Sequence, residues 1–323
     1  VMAARYSRRS VLLVLMMLFA LGNLASAIAG SFGLLVLARF LAGLPHGAYF
    51  GVAALVAAGM APPHQQARAI GRVMMGLTVA TLLGTPIAAW FGQALGWRAA
   101  FGIVGGIALL TVLLVFIHVP KDKANPAATP LKELGALARI QVWLTLGICA
   151  IGCGGMFAVF TYITPALTES AGVPLASVPM MLSVFGAGMI AGNIVGSRLA
   201  DWALMPAIGI ALVFNLVAFL LFFFTMSAPW IAVVNVFLIG GGFTVVPGVQ
   251  MRLINVAGEA QTLAAALSHS AFNIANAIGA WLGGVSIAAG YGWTSTGLVG
   301  AVMGVAGIAI FLTSAMLDRK RAA

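Results

Sequence analysis

The chain has 323 residues, of which 62% are apolar and only 7% are Asp, Glu, Lys or Arg, with a mean hydropathy of +1.11. Water-soluble domains carry roughly 25% charged residues, so composition alone excludes a soluble enzyme or binding module. At about 20 apolar residues per bilayer-spanning helix plus a connection, the length accommodates on the order of ten spans, and no run of roughly ten-residue alternating segments suggests a β-barrel. The net charge of +10 does not point to nucleic acid, because the cations lie in the gaps between apolar runs instead of forming one patch.

Apolar runs and breakers predict ten transmembrane helices, over 11–29, 34–60, 70–94, 99–119, 142–167, 177–202, 207–226, 229–250, 263–289 and 296–317. Between the fourth and fifth lies the longest polar stretch, 120–141. In it Thr129 as cap and Pro130 at the first helical position, followed by Leu131, Leu134 and Leu137, predict a short amphipathic helix on the membrane surface. Cys149 and Cys153 fall four apart in one apolar run and read as packing residues, with no metal or disulfide role. The fourth, seventh and tenth spans are almost wholly apolar and are expected to face lipid.

The cations set the orientation. Arg5, Arg8, Arg9, Arg68, Arg72, Lys121, Lys123, Lys132, Arg139, Arg198, Arg252, Arg319, Lys320 and Arg321 fall on one side, Arg98 alone on the other, and Arg39 inside a span. This bias places both termini and the linker in the cytoplasm. An internal repeat is also present: Gly96-Trp97 closes the third span and recurs as Gly292-Trp293, 196 residues on, after the ninth. Two pseudo-symmetric halves follow, 1–119 with four spans and 142–323 with six, joined by the linker 120–141. By this register about 54 residues, or two spans of an expected twelve, would precede Val1.

Several motifs carry a family resemblance. The run Leu37-Ala38-Arg39-Phe40-Leu41-Ala42-Gly43-Leu44-Pro45-His46-Gly47 resembles the arginine-bearing motif of the fourth helix of the major facilitator superfamily, and Gly84-Thr85-Pro86 with Gly92 resembles the antiporter motif of its fifth. Arg5-Tyr6-Ser7-Arg8-Arg9 is similar to the tail of that family's loop motif, with Ala4 where Asp is usual, and Gly196-Ser197-Arg198-Leu199-Ala200-Asp201 to its second-half counterpart. Pro45-His46-Gly47, Gly96-Trp97-Arg98, Gln250-Met251-Arg252-Leu253 and the segment from His269 to Asn276 are most similar to the drug:proton antiporter branch, especially its arabinose-efflux-permease-like members. The resemblance implies an all-α integral membrane fold in the bacterial inner membrane, working as a monomer. It also implies proton coupling through Arg39, and conformational roles for Gly84, Pro86 and Asp201.

The residues themselves narrow the site. Arg39 is the one charged side chain inside a span, and at 100° per turn step it shares a face with Gly43, His46 and Phe50. It serves either proton coupling or the packing of a neighbouring helix. His46 has an imidazole able to load and release protons at cellular pH, or is a satisfied core histidine at a proline kink. His269, Asn273 and Asn276 form a polar stripe on the ninth span that lines a substrate cavity or ties helices together. Thr78 and Thr81 make a weaker stripe, with back-bonding to their own helix as the alternative, and Phe157 and Phe160 offer aromatic walls for a substrate. All six acids fall at loops or span ends; either histidine carries the proton, or a carboxylate upstream of Val1 does, which is what the resemblance favours.

These features predict a secondary transporter that exports a small amphipathic or sugar-like molecule, of the kind that confers drug resistance, by proton antiport and alternating access. Its partners are the small-molecule substrate, protons and membrane lipid, with no nucleic acid, cofactor or metal. A passive channel or uniporter, or a non-transporting receptor or scaffold, is the alternative. An enzyme is excluded by the lack of a converging nucleophile and base.

Overall fold

The computed structural model describes residues 6–84, 87, 91, 95–121, 135–258 and 260–322. Its described residues form helices and no strand, and ten helices are long and apolar enough to cross a membrane. They are α1 Arg8–Ala27, α2 Phe32–Met60, α3 Pro63–Gly84, α4 Trp97–His118, α5 Ile140–Thr161, α6 Leu175–Trp202, α7 Leu204–Thr225, α8 Pro229–Val256, α9 Ala266–Ala288 and α10 Ser295–Asp318. The surface helix expected from Thr129 and the position of Pro86 lie outside the described residues.

Local chemistry fixes the starts. The Ser7 and Ser31 hydroxyls accept from the amides of Ser10 and Leu34, capping α1 and α2. Gly96 and Gly292, the glycines of the repeat, both have φ near +80° (82° and 78°), which a side chain would resist, and each turns the chain into the helix that follows. α3 opens with a 3-10 turn, Pro63–Gln65, and its α-helix proper starts at Gln66, four residues before the expected start, because the first-turn amides there find their acceptor on a distant helix (below). α8 runs past Gln250 to Val256 because the charge of Arg252 is met by Asp318.

Among the first four helices, α1 packs between α2 and α4. Among the last six, α5 packs on α9 and α10, α6 on α8, and α7 on α10. In that second group glycines bring backbones together: a Cβ on Gly155 would lie 2.7 Å from Gly300 Cα. In a bilayer, where apolar surface gains nothing by leaving lipid, such close approach supplies the association energy. The lipid-facing expectation holds best for α4, whose most apolar stretch is only 11% buried, whereas that of α7 is 44% buried. One whole face of α7, from Ala207 through Leu212 and Asn215 to Phe222, is buried, and Phe219 and Phe222 on it fill the grooves at Gly297 and Gly300 of α10. The two groups of helices meet along two seams, α2 against α9 and α3 against α6.

Candidate functional site at the seams

The α2/α9 seam brings three sequence-predicted residues together, His46, Phe50 and His269. Gly47 lets α9 approach α2, with room for a Cβ at 3.7 Å from the His269 Cβ. Around that contact the Phe50 ring lies between two imidazoles, 5.0 Å from His46 on its own helix and 4.9 Å from His269 across the seam. Phe19 of α1 extends the stack to His46 at 6.0 Å, and Phe272 lies 6.5 Å from His269. His269 Nε2 is buried with no hydrogen-bond partner among the described residues. A buried imidazole nitrogen of that kind is costly unless another state or a ligand satisfies it. Asn273 and Asn276, further along α9, are exposed, as is His46.

Arg39 does not join this cluster, although it lies two turns from His46 on the same face. It turns to the neighbouring α1, where Nε donates to Ser26 Oγ at 2.9 Å and a terminal nitrogen donates to Asn23 Oδ1 at 3.0 Å and the Gly22 carbonyl at 3.4 Å. Its guanidinium sits 4.5 Å over the Phe101 ring of α4. The charge thus ties α1, α2 and α4 together through neutral groups. Asn23 and Ser26, three apart and buried, were the signal in the sequence for this pairing.

The remaining candidates are spread out. Thr78 is fully buried and donates to the Met75 carbonyl, and Thr81 donates to Leu77, so both hydroxyls are engaged by their own helix. Phe160 stacks on Phe185 of α6 at 4.5 Å, and Phe157 packs against the same apolar core, which also takes in Leu55 of α2 and Ile70 and Met74 of α3. Gly84 closes a π-helical turn, Ala80–Gly84, at the end of α3. Cys149 and Cys153 are both buried thiols, with Cys149 Sγ 3.8 Å from the Ser268 carbonyl oxygen.

The α3/α6 seam is held by Asp201. Its carboxylate, on a side chain 4% exposed, accepts the backbone amides of Ala67 at 2.8 Å and Arg68 at 3.2 Å, and Arg68 Nε at 2.7 Å. An anion thereby caps the α3 N-terminus, where free amides and the helix dipole both favour negative charge. One turn and two turns earlier on α6, Ser197 and Asn193 continue the contact: Asn193 Nδ2 donates to the Gly71 carbonyl at 2.7 Å. Asn193, Ser197 and Asp201 are spaced i, i+4, i+8 and share one helix face, a polar stripe that reading by motif alone passes over. Arg68 and Asn193 are the functional candidates that the sequence left unassigned.

Two bundles of membrane-spanning helices meeting along partly polar seams define a multi-pass membrane transporter. The chain matches the Major Facilitator Superfamily over residues 1–260 and belongs to that family. It is 38% identical to the inner membrane transport protein YdhP of Escherichia coli K12 over 307 residues, covering 95% of this chain and 78% of that protein. It is 29% identical to a probable sugar efflux transporter of Helicobacter pylori HPAG1, covering 94% and 78%. Its fold is similar to that of FucP, a Major Facilitator Superfamily transporter crystallised in the outward conformation. The TM-score there is 0.77 at 14% identity, over 95% of this chain and 83% of that one. Members of this family carry small molecules across membranes and are not enzymes.

Proposed function

We propose that this chain exports a small amphipathic or sugar-like molecule in exchange for protons, with the two groups of helices rocking about a site at His46, Phe50 and His269. The observation that carries this reading is the convergence of two imidazoles, one from each group, on a single aromatic ring at a seam, with His269 Nε2 buried and unsatisfied. An imidazole exchanges protons near neutral pH, and an aromatic face suits the apolar side of a sugar or an amphipath. Among the described residues Glu169, Asp201 and Asp318 lie at helix ends and are engaged by Trp293, Arg68 and Arg252. Among the described residues within the spans, imidazole is the side chain suited to exchange a proton near neutral pH. The relative named for sugar efflux favours an exported sugar-like compound.

The basic end, carrying Arg68, Arg198 and Arg252, is taken as cytoplasmic by the bias of the cations. Asp201 and Asn193 then close the cytoplasmic side, and exposed His46, Asn273 and Asn276 face an outward vestibule. Arg39 acts in this scheme by fixing the position of α2, which carries His46, against α1 and α4. The test is exchange in proteoliposomes under an imposed pH gradient, with a pH dye reporting proton movement as sugars and amphipaths are added. His269→Asn is expected to abolish gradient-driven exchange while counterflow of bound substrate persists. Wild-type proton exchange in His269→Asn and His46→Asn, or export unchanged by a protonophore, would overturn the coupling.

A further inference from the structure

Six amide side chains are buried among the described residues: Asn23, Gln141, Asn193, Asn215, Asn235 and Gln250. The first five each donate a hydrogen bond, to the carbonyls of Phe19, Ser314, Gly71 and Gly242 and to the Thr225 hydroxyl in that order. Gln250, 1% exposed, is the exception: neither its Nε2 nor its Oε1 has a hydrogen-bond partner among the described residues. A primary amide carries two N–H donors and a carbonyl acceptor, and each group buried unmet loses its hydration without return. An apolar side chain of the same size would fill that volume without the cost. The stability of this closed arrangement gives no reason for an amide there.

Helix geometry places the amide on the side of α8 turned toward the first group of helices. Gly248 faces α6 and α7, where a Cβ would lie 3.1 Å from Ile208 and 3.7 Å from Ala200, and Arg252 reaches Asp318 of α10. At 100° per residue Gln250 points about 160° away from both. Leu253 clusters with Val142 of α5, which leaves α3 and α9, both packed on the Val245–Val256 turns, to the side of Gln250. Val246 and Ile254, one turn to either side, belong to the apolar core that takes in Ile70 and Met74 of α3. Gln250 lies six residues, about 9 Å, from the end of α8 at Val256. His269, on a helix that starts at Gln261, lies eight residues, about 12 Å, from the same basic end. The amide thus sits slightly nearer the basic end than His269, under the helix that Asp201 holds shut.

We propose that Gln250 is the first polar contact for a solute entering from the basic, cytoplasmic side, and that it takes the hydroxyls of a sugar-like molecule. When the α3/α6 seam parts, α3 leaves with the first group and the amide opens to solvent. Its N–H and C=O, side by side, match two neighbouring hydroxyls, each able to donate and accept, and a neutral amide favours hydroxyls over charge. Closing α3 over an empty site strands the amide, so the unloaded protein is pushed back toward the cytoplasm-open form. This assignment rests on the rocking, sugar-exporting reading above and adds the residue that meets the solute before His269.

The test is counterflow of radiolabelled methyl glycosides of glucose, galactose, arabinose and xylose by the full chain in everted vesicles, where the basic face is outside. The wild type is expected to carry at least one of them. Gln250→Leu is expected to raise its half-saturating concentration on that face about tenfold, the effect of two hydrogen bonds of ordinary strength. A second measurement reads the state itself: alkylation of Ser197→Cys in the α3/α6 seam, with Cys149 and Cys153 replaced by Ala. It is expected to slow about tenfold in Gln250→Leu, because closing no longer strands an amide; a residue that only packs would not move it in that direction. Gln250→Met, which keeps the length of the side chain, is expected to repeat both effects and serves if the leucine variant inserts poorly. Unchanged half-saturation, or labelling unchanged or faster, in either variant inserted at wild-type levels would overturn the role of Gln250. Counterflow needs no pH gradient, so a failure of proton coupling leaves these results standing, whereas a wild type that carries none of the glycosides would overturn the sugar-like substrate together with this assignment.

Discussion

The Asp201→Asn substitution tests the α3/α6 seam most directly, since it changes charge without changing shape. Oδ1 of Asp201 takes the Ala67 amide at 2.8 Å, while Oδ2 takes both the Arg68 amide at 3.2 Å and Arg68 Nε at 2.7 Å. Asparagine keeps one acceptor, which can serve Ala67, but turns an NH₂ toward two donors on Arg68. The Arg68 side chain is 41% exposed, so the lost ion pair counts for only about 1 kcal/mol after solvent screening. The amide left facing a donor costs about 1 kcal/mol more. The sum, about 2 kcal/mol, is roughly a thirtyfold shift toward the open seam. Ser197 lies in the same seam and is 5% exposed. Alkylation of Ser197→Cys, with Cys149 and Cys153 replaced by Ala, therefore reports opening. The labelling rate is expected to rise about thirtyfold in Asp201→Asn, since modification follows the open population when closing is fast. An unchanged rate in protein inserted at wild-type levels would refute the assignment of Asp201 as the clasp.

Two further substitutions probe what the seams depend on. Arg39→Lys keeps the charge but loses the fork that reaches Ser26, Asn23 and Gly22 together, and it loses most of the stacking on Phe101; a thermal midpoint in detergent lowered by a destabilisation of about 1–2 kcal/mol is expected, and an unchanged midpoint would argue against a positioning role. Asp318→Asn weakens a network in which the carboxylate takes Arg252 and Gln141 while Gln141 also holds Ser314; because this network lies wholly within the second group of helices, stability should fall with no change in Ser197→Cys labelling.

The ten spans were legible because each is an apolar run about as long as the bilayer is thick, and the repeat was legible because Gly96 and Gly292 need the same left-handed backbone. The start of α3 was not, because its capping carboxylate lies 134 residues away from Ala67. Periodicity gave the face on which His46 and Phe50 sit, and the stripe on which His269 sits, but not that these faces meet. That depends on Gly47 admitting α9, and a sequence names a small residue without naming its neighbour. Arg39 shows the same limit from the other side. The cost of a buried charge marked it as engaged, yet the shared face with His46 suggested one site, while the acceptors that hold it are Asn23 and Ser26. For Thr78 and Thr81 the nearest acceptor was on their own helix, and the local bond won.

The glycine contacts that hold the second group together and the polar contacts that clasp the seams differ in kind, and the difference tells which can open. Inside the group, Gly155 sits where a Cβ would meet Phe219 Cε2 at 2.6 Å and Gly300 Cα at 2.7 Å. One of these atoms is backbone and cannot give without moving a helix. Between the groups the polar contacts are an ion pair, an amide on a carbonyl, and imidazole on phenyl, each of which water or a ligand can replace on separation, beside one close approach at Gly186 of α6, where a Cβ would lie 2.9 Å from Leu82 Cα of α3. At Gly71 a Cβ would meet Ser197 Cβ at 2.9 Å across the seam. The same substitution at the two glycines should therefore fail in different ways. Overpacking of about 1–3 kcal/mol is expected at both. At Gly155→Ala it strains a contact the protein cannot release, so the yield of inserted, monodisperse protein falls. At Gly71→Ala the strain is relieved by parting the seam, so yield is kept and Ser197→Cys labelling, read against the same reporter without the substitution, accelerates as in Asp201→Asn. Equal loss of yield at both positions would mean that the α3/α6 contact is as fixed as the interior of the bundle, and that the helices do not rock there.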